Sequence, residues 1–283
     1  MDKSKDKKKN RKLRFAISSV LSFLLSILLT VVAVTVAVGI GFINENRILD
    51  GLNYKDYYKS VENQFYQDAK DLTLPIGLPD SVVEGIVESD RIYEDVRGYV
   101  LAVVDNKTYE FHTDELEQNL TQNIYKYFQE QQMDLNEEQL ATVPEYTKMI
   151  AEQYEEDLRV PLVNHFSKLK STYQKIEVIV ILVCLILSAI IVFSLIRMYH
   201  WKHRAIRFVI YATIASAIMT AFPAILALAT GFYKRISIGT EYWYYALIEY
   251  LSNGFWVFIY ISLVWVAVSA GLLLFIRYLK NNS

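Results

Sequence analysis

Four stretches of the chain, residues 15–44, 178–196, 208–233 and 250–276, are long, apolar and without a single Asp, Glu, Lys, Arg or His. A bilayer core about 30 Å thick needs roughly 20 such residues, and a helix crosses it because it satisfies its own backbone hydrogen bonds. Soluble cores do not repeat runs of this length four times in 283 residues. The pattern predicts an all-α membrane protein. Four transmembrane helices are expected at 15–44, 176–197, 208–233 and 250–276, with a mainly helical extracytoplasmic domain inserted between spans one and two.

Charge orients these spans. Residues 1–14 carry eight Lys or Arg against Asp2 and Asp6. Arg197 and the link at 198–207, with Lys202, Arg204 and Arg207, are also basic, and the tail at 277–283 adds Arg277 and Lys280. Residues 45–175 hold 26 acidic and 13 basic residues, net −13. Short segments rich in Lys and Arg stay in the cytoplasm. Both termini and the 198–207 link are therefore expected inside, and the acidic 45–175 domain and an aromatic loop at 234–249 outside. A basic start before an apolar run also fits a cleaved signal peptide, and Ala37 with Gly39 forms a small-x-small pair. The apolar run is much longer than the roughly 7 to 15 residues of a signal core, which favours a retained anchor. Beside a membrane, the basic tail is expected to meet anionic lipid headgroups rather than nucleic acid.

Cys184, the one cysteine, falls within span two, so the outer domain is expected to fold without a disulfide. The outer-loop cysteines of tetraspanins and claudins are missing. A large first outer segment and a small second one are similar, in topology alone, to the membrane subunit of a division-type ABC transporter; no diagnostic residue accompanies that similarity.

Within 45–175 the apolar spacing is helical. Asn53 reads as a cap before Tyr54, Tyr57, Tyr58, Val61 and Phe65, and "LTLPIGLPD" breaks that helix at Pro75, Gly77 and Pro79. Asp80 then caps a helix through Val83, Ile86, Val87, Tyr93, Val96, Val100 and Val103. For residues 98–112 a β-hairpin across Asp105, Asn106 and Lys107 competes with a helix end. Thr113 starts a further helix through Leu116, Leu120, Ile124 and Phe128, and Asn136 with Gln139 forms a capping box. From Pro144 an apolar stripe through Tyr146, Ile150, Tyr154, Leu158 and Leu162 runs on into span two, with Pro161 as a kink.

No catalytic or metal-binding motif emerges. There is no G-x-S-x-G, H-E-x-x-H, Walker-type loop or paired-cysteine spacing. His112 and His165 are far apart in sequence; His200 and His203 stand at helical spacing but among cations, which suits headgroup contact better than a metal. Glu155, Glu156 and Asp157 read as a solvated helix face. The span cores hold no ionisable relay residue, which argues against proton-coupled transport. No catalytic residue, cofactor or metal is assigned.

Two patterns remain. Ser18, Ser22, Ser26 and Thr30 recur every fourth position in span one, and Ala212, Ser216 and Thr220 do the same in span three. Small residues at this spacing allow close helix approach in lipid, so both stripes are predicted to be helix-packing seams. A hydroxyl bonding back to its own helix is the plainer alternative. Tyr242, Trp243, Tyr244 and Tyr245 in the 234–249 loop are expected at the headgroup level, or as a docking surface beneath the acidic domain.

These features predict a non-enzymatic, multi-pass plasma-membrane protein. Its acidic outer domain binds a partner protein or ligand at the cell envelope; the partners expected are the lipid bilayer and either a partner protein or a homo-oligomer, with no nucleic acid. The alternative is an accessory or membrane subunit of a transporter complex. Plentiful Lys, Asn, Ile and Tyr and the disulfide-free outer domain suit a bacterium.

Overall fold

The computed structural model describes residues 2–133, 137–161, 163–199, 201–236 and 239–281, with the side chains of these apart from 2–10, 137–140 and 279–281. The helices are α1 (Asp2–Phe42), α2 (Glu45–Leu52), α3 (Tyr57–Thr73), α4 (Ser89–Val104), α5 (Asp114–Glu130), α6 (Glu137–Leu158), α7 (Val163–Met198), α8 (Lys202–Thr230) and α9 (Glu241–Asn281). Short 3-10 turns lie at Leu74–Ile76, Asp80–Val82 and Phe232–Arg235. Among the described residues there is no strand. Arg11–Phe42 of α1, Val163–Met198, Lys202–Thr230 and Glu241–Tyr278 of α9 are long and apolar enough to cross a membrane. The chain is an all-helical, multi-pass membrane protein.

It divides into a membrane unit (Met1–Arg47, Ser171–Ser237, Tyr250–Ser283) and an acidic unit (Ile48–Lys170, Ile238–Glu249). In the membrane unit α1 is packed along α8. Ser22 Oγ donates to the Phe208 carbonyl at 2.7 Å, and further along both helices Thr30 Oγ1 approaches Met219 Sδ at 3.8 Å. Both numbers rise in the same direction, so α1 and α8 are parallel. Between these points Leu25 and Leu29 enclose Ala212. α1 also touches the other two spans. The Tyr173 hydroxyl of α7 donates to the Thr35 carbonyl. Gly41 lies so close to α9 that an added Cβ would stand 2.9 Å from the Gly254 carbonyl oxygen. Outward-facing Val178, Ile179, Leu182 and Ile186 of α7 are exposed, as expected of side chains that face acyl chains rather than water.

The acidic unit has its own core. α3, α4 and α5 all pack on α6, which contributes Ile150, Tyr154 and Leu158 to a cluster with Phe65, Ile92, Val96, Leu116, Leu120 and Ile124. Phe65 and Tyr154 meet edge to face at 5.1 Å, and both are fully buried. Cys184, in α7, is a free cysteine, so no disulfide of its own staples this core.

Several sequence expectations change at element boundaries. α3 starts at Tyr57 rather than after Asn53, because Lys55 and Asp56 both adopt left-handed φ (48° and 55°) to reverse the chain between buried Leu52 and Tyr57. Asp80 opens only the 3-10 turn to Val82, not an α-helix. Gly85 at φ +68° turns the chain, the Tyr66 hydroxyl donates to the Val87 carbonyl at 2.8 Å, and α4 begins only at Ser89. Of the two readings of 98–112 the helix end is correct: α4 runs to Val104, and no strand follows. The stripe from Pro144 is broken rather than kinked at Pro161. α6 ends at Leu158 and α7 starts at Val163, since proline lacks the N–H donor and disfavours helical geometry in the residue before it. The 234–249 segment is not a loop throughout, because α9 starts at Glu241 and carries all four aromatics. Pro144 and Pro223 lie inside α6 and α8, which continue past them. The capping box at Asn136 falls partly outside the described residues.

Candidate functional site

The acidic unit holds a fully buried carboxylate. Asp95, in the second turn of α4, is 0% exposed and accepts from the Tyr109 hydroxyl (2.8 Å to Oδ1), the Tyr154 hydroxyl (2.7 Å to Oδ2) and His112 Nδ1 (2.5 Å to Oδ1). α4 thus supplies the acceptor, the connector before α5 supplies Tyr109 and His112, and α6 supplies Tyr154. Gly98 makes room for this, since a Cβ there would lie 2.5 Å from the Tyr109 ring. Burial, followed by the bond to Asp95, raises the Tyr109 and Tyr154 hydroxyls far above their ordinary range, so both remain donors at any physiological pH.

His112 Nδ1 is held by Asp95 while the side chain as a whole is 56% exposed. Among the described residues no hydroxyl or thiol nucleophile bonds to His112, and no three metal-ligating side chains cluster. What the network plainly does is tie α4, the connector and α6 together around one charge. His165 is exposed, and His203 lies 6.0 Å from the Trp201 ring. His200 lies outside the described residues.

Two concavities flank this network's helices. The larger, about 540 Å³, is an open groove between Glu62, Tyr66, Lys70 and Glu84. Several of its polar groups are already engaged: Lys70 pairs with Asp80 and Glu84 (both 3.8 Å), and Ser89 donates to Glu62 at 2.9 Å. The smaller, about 120 Å³, is mainly apolar, lined by Ile76, Leu78, Ile124, Phe128, Val143 and Tyr146, with Thr142 beside them. Exposed Leu74 and Ile76, from the 3-10 turn ending α3, and exposed Met133, whose N–H bonds the Phe128 carbonyl, extend its apolar surface. The Tyr146 hydroxyl beneath it is buried with no hydrogen-bond partner among the described residues, and desolvation raises its pKa.

The seam residues are placed as follows. Ser18, Ser22 and Ser26 of α1 and Ala212, Ser216 and Thr220 of α8 are all buried. Ser18 bonds the Tyr199 hydroxyl, just past the end of α7, at 3.0 Å, Ser22 bonds the Phe208 carbonyl of α8, and Thr30 Oγ1 stands 3.8 Å from Met219 Sδ of α8. Ser26 bonds back to Phe23 at 2.7 Å and Thr30 also to Ser26 at 2.7 Å, while the Ser216 and Thr220 hydroxyls find no partner among the described residues. The ladder therefore combines small size along its length with hydroxyl contacts to α8 at Ser22 and Thr30.

The aromatic run lies within the acidic unit. Trp243 is 7% exposed in its core, Trp243 and Tyr242 flank the Tyr57 ring at 6.5 and 5.4 Å, and Lys55 Nζ stands 3.7 Å over the Tyr245 ring. Tyr244 lies beside Tyr245 at 5.4 Å. Sequence reasoning did not pair Asp95 with His112, because 17 residues and a helix end separate them and no motif spacing marks them. It also placed Asp157 on a solvated face; half-buried, Asp157 instead faces Asp68 of α3.

Comparison with protein-family models, curated proteins and solved structures found no match for the chain.

Proposed function

We propose that this chain is a non-enzymatic, four-span protein of a bacterial plasma membrane, with both termini cytoplasmic. On this reading the acidic helical unit lies outside and binds a partner protein or ligand. The single observation that carries it is the apolar recess of about 120 Å³ opening beside exposed Leu74, Ile76 and Met133. A leucine-sized or phenylalanine-sized side chain suits such a space, and burying one contributes about 1.5–3 kcal/mol. The net charge of −13 over residues 45–175 favours a basic contact surface on the partner and speeds its approach. The orientation is supported by the basic flanks at 1–14, 198–207 and 277–283.

A photo-crosslinking residue at Ile76, installed in the full chain in intact cells, is expected to give a discrete stoichiometric adduct. The same residue at exposed Glu110 is expected to give none. The adduct mass separates a second copy of the chain from a different protein, and no adduct from position 76 would sink the proposal. A reporter fused after Ser283 is expected to read cytoplasmic; an external signal would overturn the orientation.

A further inference from the structure

Where α1, α8 and the residue after α7 meet at one end of the membrane unit, arginines gather without counter-charge among the described residues. The Ser18–Tyr199 bond and an edge-to-face contact of the Phe15 and Phe208 rings at 5.8 Å tie α1 there to the chain just past α7 and to α8. Arg14 adjoins Phe15 and Arg11 lies one turn before it; Arg207 adjoins Phe208 and Arg204 lies one turn before it. Because α1 and α8 are parallel, both pairs fall at the same end of the contact. All four arginines are exposed. Among the described residues none has an ion-pair partner. Residues 7–44, 178–240 and 250–283 contain no Asp or Glu. The backbone adds to the field, since α8 begins at Lys202 and its N-cap residue supplies no side-chain capping bond.

We propose that this end of the membrane unit binds the phosphate of an anionic membrane phospholipid, held between Arg11 and Arg14 of α1 and Arg204 and Arg207 of α8. Guanidinium forks match phosphate oxygens two at a time, and an anion here relieves the mutual repulsion of four like charges. Lipid rather than free phosphate is the source because the arginines adjoin exposed apolar surface, Phe15 at 62% and Tyr211 at 59%, against which acyl chains lie. The site stands apart from the recess in the acidic unit and does not depend on partner binding there.

The test is native mass spectrometry of the full chain in mild detergent, titrated with phosphatidylglycerol or phosphatidylcholine. Phosphatidylglycerol adducts are expected to persist where phosphatidylcholine adducts are lost, and to weaken as salt rises. Replacing Arg11, Arg14, Arg204 and Arg207 with glutamine is expected to weaken binding roughly fivefold per guanidinium, about 1 kcal/mol each. The four-lysine variant is expected to keep most of it, and neutralising Arg235, beyond the other end of α8, to change nothing. Should the four-glutamine variant lose its helical circular dichroism, R14Q and R207Q singly replace it, each expected to weaken binding about fivefold. Equal retention of both lipids, or undiminished phosphatidylglycerol binding by the glutamine variants, would overturn the proposal. Full displacement of the lipid by an equal concentration of inorganic phosphate would overturn the assignment to lipid.

Discussion

Tyr154 donates its hydroxyl proton to Asp95 at 2.7 Å across 59 residues of sequence, joining α6 to α4 at a carboxylate with no exposed surface. A charge in such a place is tolerable only while its donors remain. Asp95→Ala is expected to cost about 3–5 kcal/mol, because it strands three donors at once. Tyr154→Phe is expected to cost about 1–3 kcal/mol, and His112→Ala less, since its side chain is 56% exposed. Thermal melts of the purified variants rank these losses, and equal losses for Tyr154→Phe and His112→Ala would contradict the ranking.

Asp157 gives the acidic unit a pH dependence. It faces Asp68, and each carboxylate is held by the glutamine one turn earlier, Gln153 at 2.9 Å and Gln64 at 2.8 and 2.9 Å. Burial, then the Asp68 charge, push the Asp157 carboxyl up from 3.8 to about 7, with Glu156 adding a little. The folded chain therefore keeps a proton that the unfolded chain has released, so stability falls as pH rises from about 4 to about 7 and is level above that. Asp157→Asn is expected to remove this slope and raise the melting midpoint at about pH 8, while leaving it nearly unchanged at about pH 4. An unaltered slope would refute the arrangement.

Two glycines of α1 separate backbone crowding from side-chain crowding. A Cβ at Gly41 would meet the Gly254 carbonyl oxygen at 2.9 Å, whereas one at Gly39 would meet the end of the Glu177 side chain at 2.8 Å. Only the second neighbour can swing aside. Gly41→Ala is expected to lower the melting midpoint in detergent by an amount matching about 1–3 kcal/mol, and Gly39→Ala to leave it nearly unchanged. Similar midpoints for both would place the crowding elsewhere.

The α1–α8 seam predicts a difference between neighbouring positions. Leucine at both Ser22 and Ser26, which are 7% and 2% exposed, forces the helices apart and removes the bond to the Phe208 carbonyl. Leu24→Phe, at a side chain already 45% exposed, does neither. The double variant is expected to melt lower by the equivalent of at least about 2 kcal/mol. Equal melting would contradict the seam.

The spans were legible because lipid imposes one strong rule, a long uncharged run, that needs no tertiary information. The four-residue period of small side chains stands out in the sequence for the related reason that such a period has few other uses in lipid. Boundaries inside the acidic unit were not. Gly85 and the Lys55–Asp56 pair set them through left-handed backbone geometry, which apolar spacing does not encode. Trp243 looked like a headgroup anchor because an aromatic side chain near a span end has the same composition whether it meets lipid or a protein core. The Asp95 network was invisible, since long-range convergence on a buried charge leaves no local pattern.

The parallel pairing of α1 and α8 also sets an order of events during synthesis. Helices that follow one another through a membrane run in opposite directions, so two parallel neighbours cannot be consecutive, and another span must be laid down between them. Ser22 and the Phe208 carbonyl are 186 residues apart. At roughly 5–20 residues per second, the ribosome needs about 10–40 s to make that stretch. Until residue 208 has been made the Ser22 hydroxyl has no such acceptor, so the contact of the first span with the third closes only once the third has entered the bilayer.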